Sequence, residues 1–323
     1  AINEDSMIKI ISVLTACMLA AMPLQGASFT LSFTEKSPGS KSIQGATCVG
    51  DFLFQFRNAS PSIGVFSFEG KGFLTEIKLQ ERKSWHCNNA AVSSFYYKQG
   101  DEFPLIYVSQ ENRDEHCIAA FRITRDGEGF SAEVVHTIVL PSPLEMGLWY
   151  PNVALDLQEG DLYVTGYTRE SWNKKESGNS VQLLKFDLPY PDRDTVTLST
   201  RDIRRRSVFD FAVATQGAAA RNGKLYQAYG VPGMGKTYLR IYDLAQGILE
   251  SEEDLAEAGI PNEPEGLFFH KDTLCIVDNK GNVYTSDICV PWAVQEDLHD
   301  TAPLLAGGAS KKIVFLDLDA TLT

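Results

Sequence analysis

Surplus positive charge and long apolar runs are both missing from this chain. Against 42 acidic residues stand 29 Lys and Arg, a formal net charge of −13. Nucleic-acid surfaces need a concentrated basic face. The one basic cluster, Arg204-Arg205-Arg206, reads as a solvated strand end or turn. A nucleic-acid partner is excluded on that ground. Metal-type cysteine spacing is also absent: after Cys17 come Cys48, Cys87, Cys117, Cys275 and Cys289, odd in number and with no C-x-x-C pair. Neither zinc nor a disulfide framework is indicated, and most of these thiols read as small buried hydrophobes. The longest apolar run, Ile11 to Met22, ends at Pro23 and falls short of the ~20 residues that span a bilayer.

That run has instead the form of a secretory signal. Lys9 supplies a basic start, the apolar centre follows, and Gly26 and Ala27 are small enough for cleavage. Residues 1–6 lack a Met and precede a candidate initiator, Met7, so residues 1–27 read as upstream residues plus signal peptide. The expected mature chain is exported, periplasmic or in the cell envelope, and has no transmembrane span. Leu14-Thr15-Ala16-Cys17 resembles a lipoprotein box, and a lipid on Cys17 would tether the chain without spanning the membrane.

The rest of the chain is 44% hydrophobic overall and 22% charged, enough for a buried core. It repeats one pattern five times. Each unit opens on polar and small residues: Gln44-Gly-Ala, His86-Cys-Asn-Asn-Ala, Tyr150-Pro-Asn-Val-Ala, Gln216-Gly-Ala-Ala and Glu263-Pro-Glu-Gly-Leu. Alternating strands follow, then a third strand carrying an aromatic anchor. The anchors Phe66, Phe121, Phe186, Tyr242 and Tyr284 recur at intervals of 55, 65, 56 and 42 residues. Period-two alternation between turn residues marks antiparallel sheet, and four strands per 40–50 residues make a propeller blade. Outer strands are expected at Phe73–Leu79, Ala132–Leu140 and Thr195–Ser199. The fifth unit lacks one, and Ser28–Phe33 is expected to supply it and close the ring. The chain is therefore all-β and resembles a five-bladed β-propeller over residues 28–289, with a β-sandwich as the rival.

In such a fold the opening residues Gln44, His86, Asn88, Asn152, Gln216 and Glu265 converge on one face of the central tunnel. Two readings stand side by side. They hold a ligand, or they tie neighbouring blades together and satisfy buried backbone groups. His86 with Glu265 has acid/base or metal-ligand chemistry. No cofactor is evident for the propeller, and its ligand is an unspecified small molecule, glycan or protein.

Two further motifs carry chemistry. Gly230-Val-Pro-Gly-Met-Gly-Lys236-Thr237 matches the phosphate loop of nucleotide-binding enzymes, which works by leading from a strand into a helix. Here Tyr238-Leu-Arg-Ile-Tyr-Asp alternates as a strand, so a hairpin is expected. Residues 290–310 read as a linker. Beyond them Ile313-Val-Phe-Leu runs into Asp317-Leu-Asp319-Ala-Thr321, which resembles the first motif of the haloacid dehalogenase (HAD) superfamily. The family has Gly where this chain has Ala320. The resemblance implies that residues 311–323 begin an incomplete HAD-like α/β domain. It makes Asp317 the nucleophile toward phosphorus and Asp319 the general acid/base, with Mg²⁺ held by Asp317 and the Asp319 carbonyl. The remaining motifs of that family are not found, so no phosphatase activity is expected of these residues alone. The leading expectation is an exported ligand-binding or scaffolding propeller joined to the start of a HAD-type phosphatase domain. The alternatives are a hydrolase centred on His86, Asn152 and Glu265, and a Mg²⁺-dependent phosphatase in a longer protein.

Overall fold

The computed structural model describes residues 26–34, 43–58, 61–79, 86–111, 116–170, 179–210, 214–231 and 233–291. The first strand is β1 (Phe29–Thr34). Blade I follows as β2 (Ile43–Val49), β3 (Phe52–Arg57), β4 (Ser62–Ser67) and β5 (Gly72–Lys78). Blade II is β6 (Cys87–Val92), β7 (Ile106–Glu111), β8 (His116–Asp126) and β9 (Gly129–Val139). Blade III is β10 (Trp149–Asp156), β11 (Asp161–Tyr167), β12 (Val181–Asp187) and, after β13 (Thr195–Thr197), β14 (Arg205–Phe209). Blade IV is β15 (Thr215–Arg221), β16 (Lys224–Tyr229), β17 (Tyr238–Asp243) and β18 (Ile248–Asp254). Blade V is β19 (Pro264–His270), β20 (Thr273–Asp278), β21 (Asn282–Cys289) and β1.

Each blade is an antiparallel meander with its first strand innermost. The inner strands β2, β6, β10, β15 and β19 touch in turn, and β19 touches β2. The ring is closed. This is a five-bladed β-propeller.

The period-two pattern explains why the blades stack. In β3, Phe54 and Phe56 enter the cluster shared with blade II, while Leu53 enters the cluster shared with blade V. The same split along every blade produces five buried clusters, one at each blade–blade interface. All five aromatic anchors lie on third strands and face the preceding blade. Phe66, Phe121, Phe186 and Tyr242 stand opposite Leu53, Ile106, Leu162 and Leu225. Tyr284 stands opposite Ile276 instead, further along its strand, and a bulge lies beyond it between Thr273 and Cys275.

The closing strand falls where the alternation of Ser28–Phe33 puts it. β1 pairs antiparallel with β21 from Phe29↔Ser286 to Thr34↔Asn282. Ser28 seals the end of the ladder through its N–H and hydroxyl, which donate to Asp287 at 3.0 and 2.9 Å. A paired edge is also a protected edge.

One outer strand is not where expected. Thr195–Ser199 does not edge blade III: β13 instead runs parallel to β9 and extends blade II. The outer strand of blade III is β14, paired with β12. The arginine run conceals it, since each cation has a partner that a sequence pattern does not display. Arg204 donates to Asp187, Arg206 to Gln182 Oε1 at 2.7 Å, and Arg205 to the Leu244 carbonyl of blade IV at 2.6 Å.

Residues 230–231 and 233–237 form a loop that leads directly into β17, with no helix following. Lys236 pairs with Asp254 at 2.8 Å. The hairpin reading holds. No helix of the described residues is long and apolar enough to cross a membrane.

Candidate ligand cavity on the propeller axis

All five inner strands carry a bulge near their N-terminal ends, at Ile43/Gly45, Cys87/Asn89, Trp149/Asn152, Thr215/Ala218 and Pro264/Gly266. A bulge inserts a residue and re-aims its side chain. Gln44, Asn88, Gln216 and Glu265 sit in these irregularities, and Asn152 directly follows one. The structure thus brings these five to one end of the axis, where they link blades. Gln44 Nε2 donates to Glu265 Oε1 at 3.2 Å, and Gln216 Nε2 donates to Glu263 Oε1 at 2.8 Å. Asn88 Nδ2 donates to the Pro151 carbonyl at 3.1 Å. With its amide oriented to satisfy both ends, Asn152 donates to the carbonyls of Asn88 (2.9 Å) and Gln216 (3.1 Å) and accepts from Thr215 Oγ1 (3.0 Å). His86 lies exposed just before β6.

The axis is filled just beyond this ring. Asn89 of blade II is fully buried and donates across the axis to the Ala218 carbonyl of blade IV at 2.6 Å, as well as to Val153 of blade III. Glycines permit the crowding: a Cβ on Gly217 would lie 2.5 Å from the Leu267 nitrogen, and one on Gly266 2.7 Å from the Ala46 nitrogen.

Electrostatically this end is acidic. Glu265 is 3% exposed. Burial first, then the charges of Glu263 and Asp278, hold its carboxyl well above the usual range. Burial also raises Glu263. Glu265 is therefore a buried carboxyl that favours its neutral form. Among the described residues no group of three or more His, Cys, Asp or Glu side chains is placed to hold a metal ion. Asp317, Asp319 and Cys17 lie outside the described residues.

The opposite end of the axis opens into a cavity of about 500 Å³. Its walls are the C-terminal halves of inner strands: Thr47–Val49, Ala90–Val92, Ala218–Arg221 and Leu267–Phe269, with Leu155 and Leu157. Sequence reasoning missed this site, because the polar residues at the other end drew attention away from runs such as Gly217-Ala-Ala-Ala220. Small side chains are what leave the space open.

One blade differs from the rest at this mouth. Blades I, III, IV and V join their two inner strands through residues 50–51, 157–160, 222–223 and 271–272, whereas blade II uses residues 93–105. That insertion contributes Tyr96, Glu102, Phe103 and Pro104 to the cavity wall. It is pinned to β8, where Arg122 forks onto Asp101 (2.9 and 2.7 Å) and Arg125 donates to Glu102 at 2.9 Å. Phe103 makes edge-to-face contact with Phe52 at 5.3 Å. An insertion confined to one blade on one face is a common mark of a binding face.

No protein-family model matches the chain, and no curated protein sequence matches it. Solved structures do. A glutaminyl cyclase from Myxococcus xanthus is 11% identical, with 82% of this chain and 97% of that one covered, at a TM-score of 0.47. An oxidoreductase (glucose dehydrogenase) from Thermus thermophilus is 11% identical, with 81% and 100% covered, at 0.48. A chain of a nidogen/laminin complex is 15% identical, with 78% and 86% covered, at 0.40. At such scores these likenesses carry no argument about activity. What the fold and cavity define is a class: a five-bladed propeller with an axial pocket at one end.

Proposed function

We propose that this chain is a ligand-binding propeller that holds a small molecule in the axial cavity walled by the blade II insertion. The observation that carries the reading is the cavity itself. Its volume of about 500 Å³ lies within the range of ~300–1,000 Å³ typical of small-molecule sites, and it sits where several blades contribute side chains at once. The test is a thermal-shift screen of small molecules against the wild type and Ala219→Trp, which fills the cavity from blade IV. Stabilisation present in the first and absent in the folded second supports the reading. Stabilisation that survives the filling defeats it.

The hydrolase reading around His86, Asn152 and Glu265 has less support, since Asn152 and Glu265 are engaged in blade-to-blade hydrogen bonds. The export reading belongs to the same proposal. The propeller acts in the periplasm or cell envelope once residues 1–27 are removed as a signal peptide; membrane association that is lost in Cys17→Ser would replace that cleavage with a lipid tether. The HAD-type reading of residues 311–323 remains a proposal as well. A longer chain that completes the α/β domain should hydrolyse a phosphomonoester with Mg²⁺ present, and Asp317→Asn should abolish this.

A further inference from the structure

We infer that the ligand of this cavity is an uncharged, largely apolar molecule of ring-system size that makes a hydrogen bond to the Tyr96 hydroxyl. The inference rests on the ligand-binding reading above and goes on to specify the ligand's chemistry.

The charges at the mouth are already committed. Lys271 Nζ pairs with Glu69 at 2.7 Å, and Glu102 pairs with Arg125 at 2.7 Å. Asp51 accepts from Ser67 Oγ at 2.7 Å and from the Glu69 N–H. Arg221 is 4% exposed; it donates to the carbonyls of Lys271 (2.7 Å) and Val290 (3.0 Å), and its guanidinium carbon lies 3.9 Å from the centre of the Phe269 ring. Among the lining residues two acids, Asp51 and Glu102, stand against two bases, Arg221 and Lys271, and Asp272 sits 3.8 Å from Arg221, leaving no surplus positive charge to attract an anion. A charged ligand entering here would lose its water and gain no counter-charge, which is strongly unfavourable.

Two of the lining side chains carry neutral hydroxyls. Among the described residues the hydroxyls of Tyr96 and Thr47 make no hydrogen bond, although both side chains line the cavity and are 7% and 4% exposed. Burial pushes the Tyr96 phenol further up, so it stays a hydrogen-bond donor across the neutral range. Around these two groups the walls are Ala, Leu and Phe side chains. A neutral donor beside an apolar wall selects a neutral molecule with an acceptor such as a carbonyl or ether oxygen.

The experiment uses the full chain and fluorescent probes that share a naphthalene core. N-phenyl-1-naphthylamine is neutral, and 8-anilinonaphthalene-1-sulfonate is the same framework with a fixed anion. Prodan is neutral and carries a ketone. We expect the neutral probe to bind at least tenfold tighter than the sulfonate, and both to be lost in Ala219→Trp, or in Ala219→Leu if the larger residue unfolds the protein. Tyr96→Phe should weaken Prodan about two- to tenfold, the range for one hydrogen bond. Equal or tighter binding of the sulfonate, still lost on filling the cavity, would overturn the neutral-ligand inference and leave the cavity standing. Binding of every probe undisturbed by filling, or no binding at all, would overturn both. Prodan affinity unchanged in Tyr96→Phe would remove Tyr96 from the site.

Discussion

Replacing Arg122 with Met isolates what holds the blade II insertion in place. The Arg122 side chain is 17% exposed and that of Asp101 only 6%. The fork between them is bidentate, the geometry that makes such pairs strong. The same guanidinium also meets Glu133 at 2.9 Å, but Glu133 is 58% exposed, and an exposed partner contributes only about 0–1 kcal/mol. Removing one member of a buried pair typically costs about 3–5 kcal/mol, because the other charge is stranded. Here Asp101 keeps a hydrogen bond from the Lys98 N–H at 3.0 Å and lies on a loop that opens to water. A loss of about 2–3 kcal/mol follows from those two reliefs. It should appear as local opening of residues 94–104 rather than loss of the whole fold. Hydrogen–deuterium exchange read peptide by peptide measures it, and adding Asp101→Asn should recover at least about 1 kcal/mol by removing the stranded charge. Insertion amides that exchange as slowly in Arg122→Met as in the wild type, with coupling under about 0.5 kcal/mol, would show that the ion pair does not secure the loop.

Other perturbations follow from the same geometry. Gly217→Ala forces a methyl against the blade V backbone and should cost about 1–3 kcal/mol in denaturant melts; a neutral result would mean that the inner strands pack more loosely than described. Glu265 has a native pKa above its unfolded value, so it favours the fold at pH below about 4.3, and that contribution is lost as pH rises through the native pKa. Glu265→Gln should therefore flatten the alkaline side of the stability–pH curve and raise melting temperature at pH 8; lower stability there would mean the carboxylate is charged and compensated. Lys236→Ala should leave both melting temperature and the absence of an ATP response unchanged, and an ATP-dependent shift lost in the variant would restore the phosphate-loop reading.

The sequence made some elements visible and hid others for identifiable reasons. Blade number, anchor aromatics and the closing strand follow from alternation, which acts along each strand and survives without knowledge of its neighbours. β14 was masked because Arg204, Arg205 and Arg206 find partners on Asp187, Gln182 and blade IV carbonyls, and those partnerships exist only after folding. β13 was misassigned because its pairing with β9 is parallel and crosses between blades. At the site, Gln44, Asn88, Asn152, Gln216 and Glu265 stood out as polar residues among small ones, and they do gather at one end of the axis. The cavity at the other end depends on the convergence of alanines from different blades and on the path of residues 93–105. Neither property belongs to any single segment.

The seam between β1 and β21 has a mechanical consequence. Because the two strands are antiparallel, residue 28 and residue 289 emerge at the same end of their ladder, beside the Ser28–Asp287 contact. Tension applied between the chain upstream of residue 28 and the chain downstream of residue 289 would therefore act on that end alone. It would open the ladder one hydrogen bond at a time, as a zipper opens, instead of shearing all its bonds together. Blade V is then the part of the ring that yields first under pull, and its opening would unseal the interface with blade I while blades II to IV stay assembled.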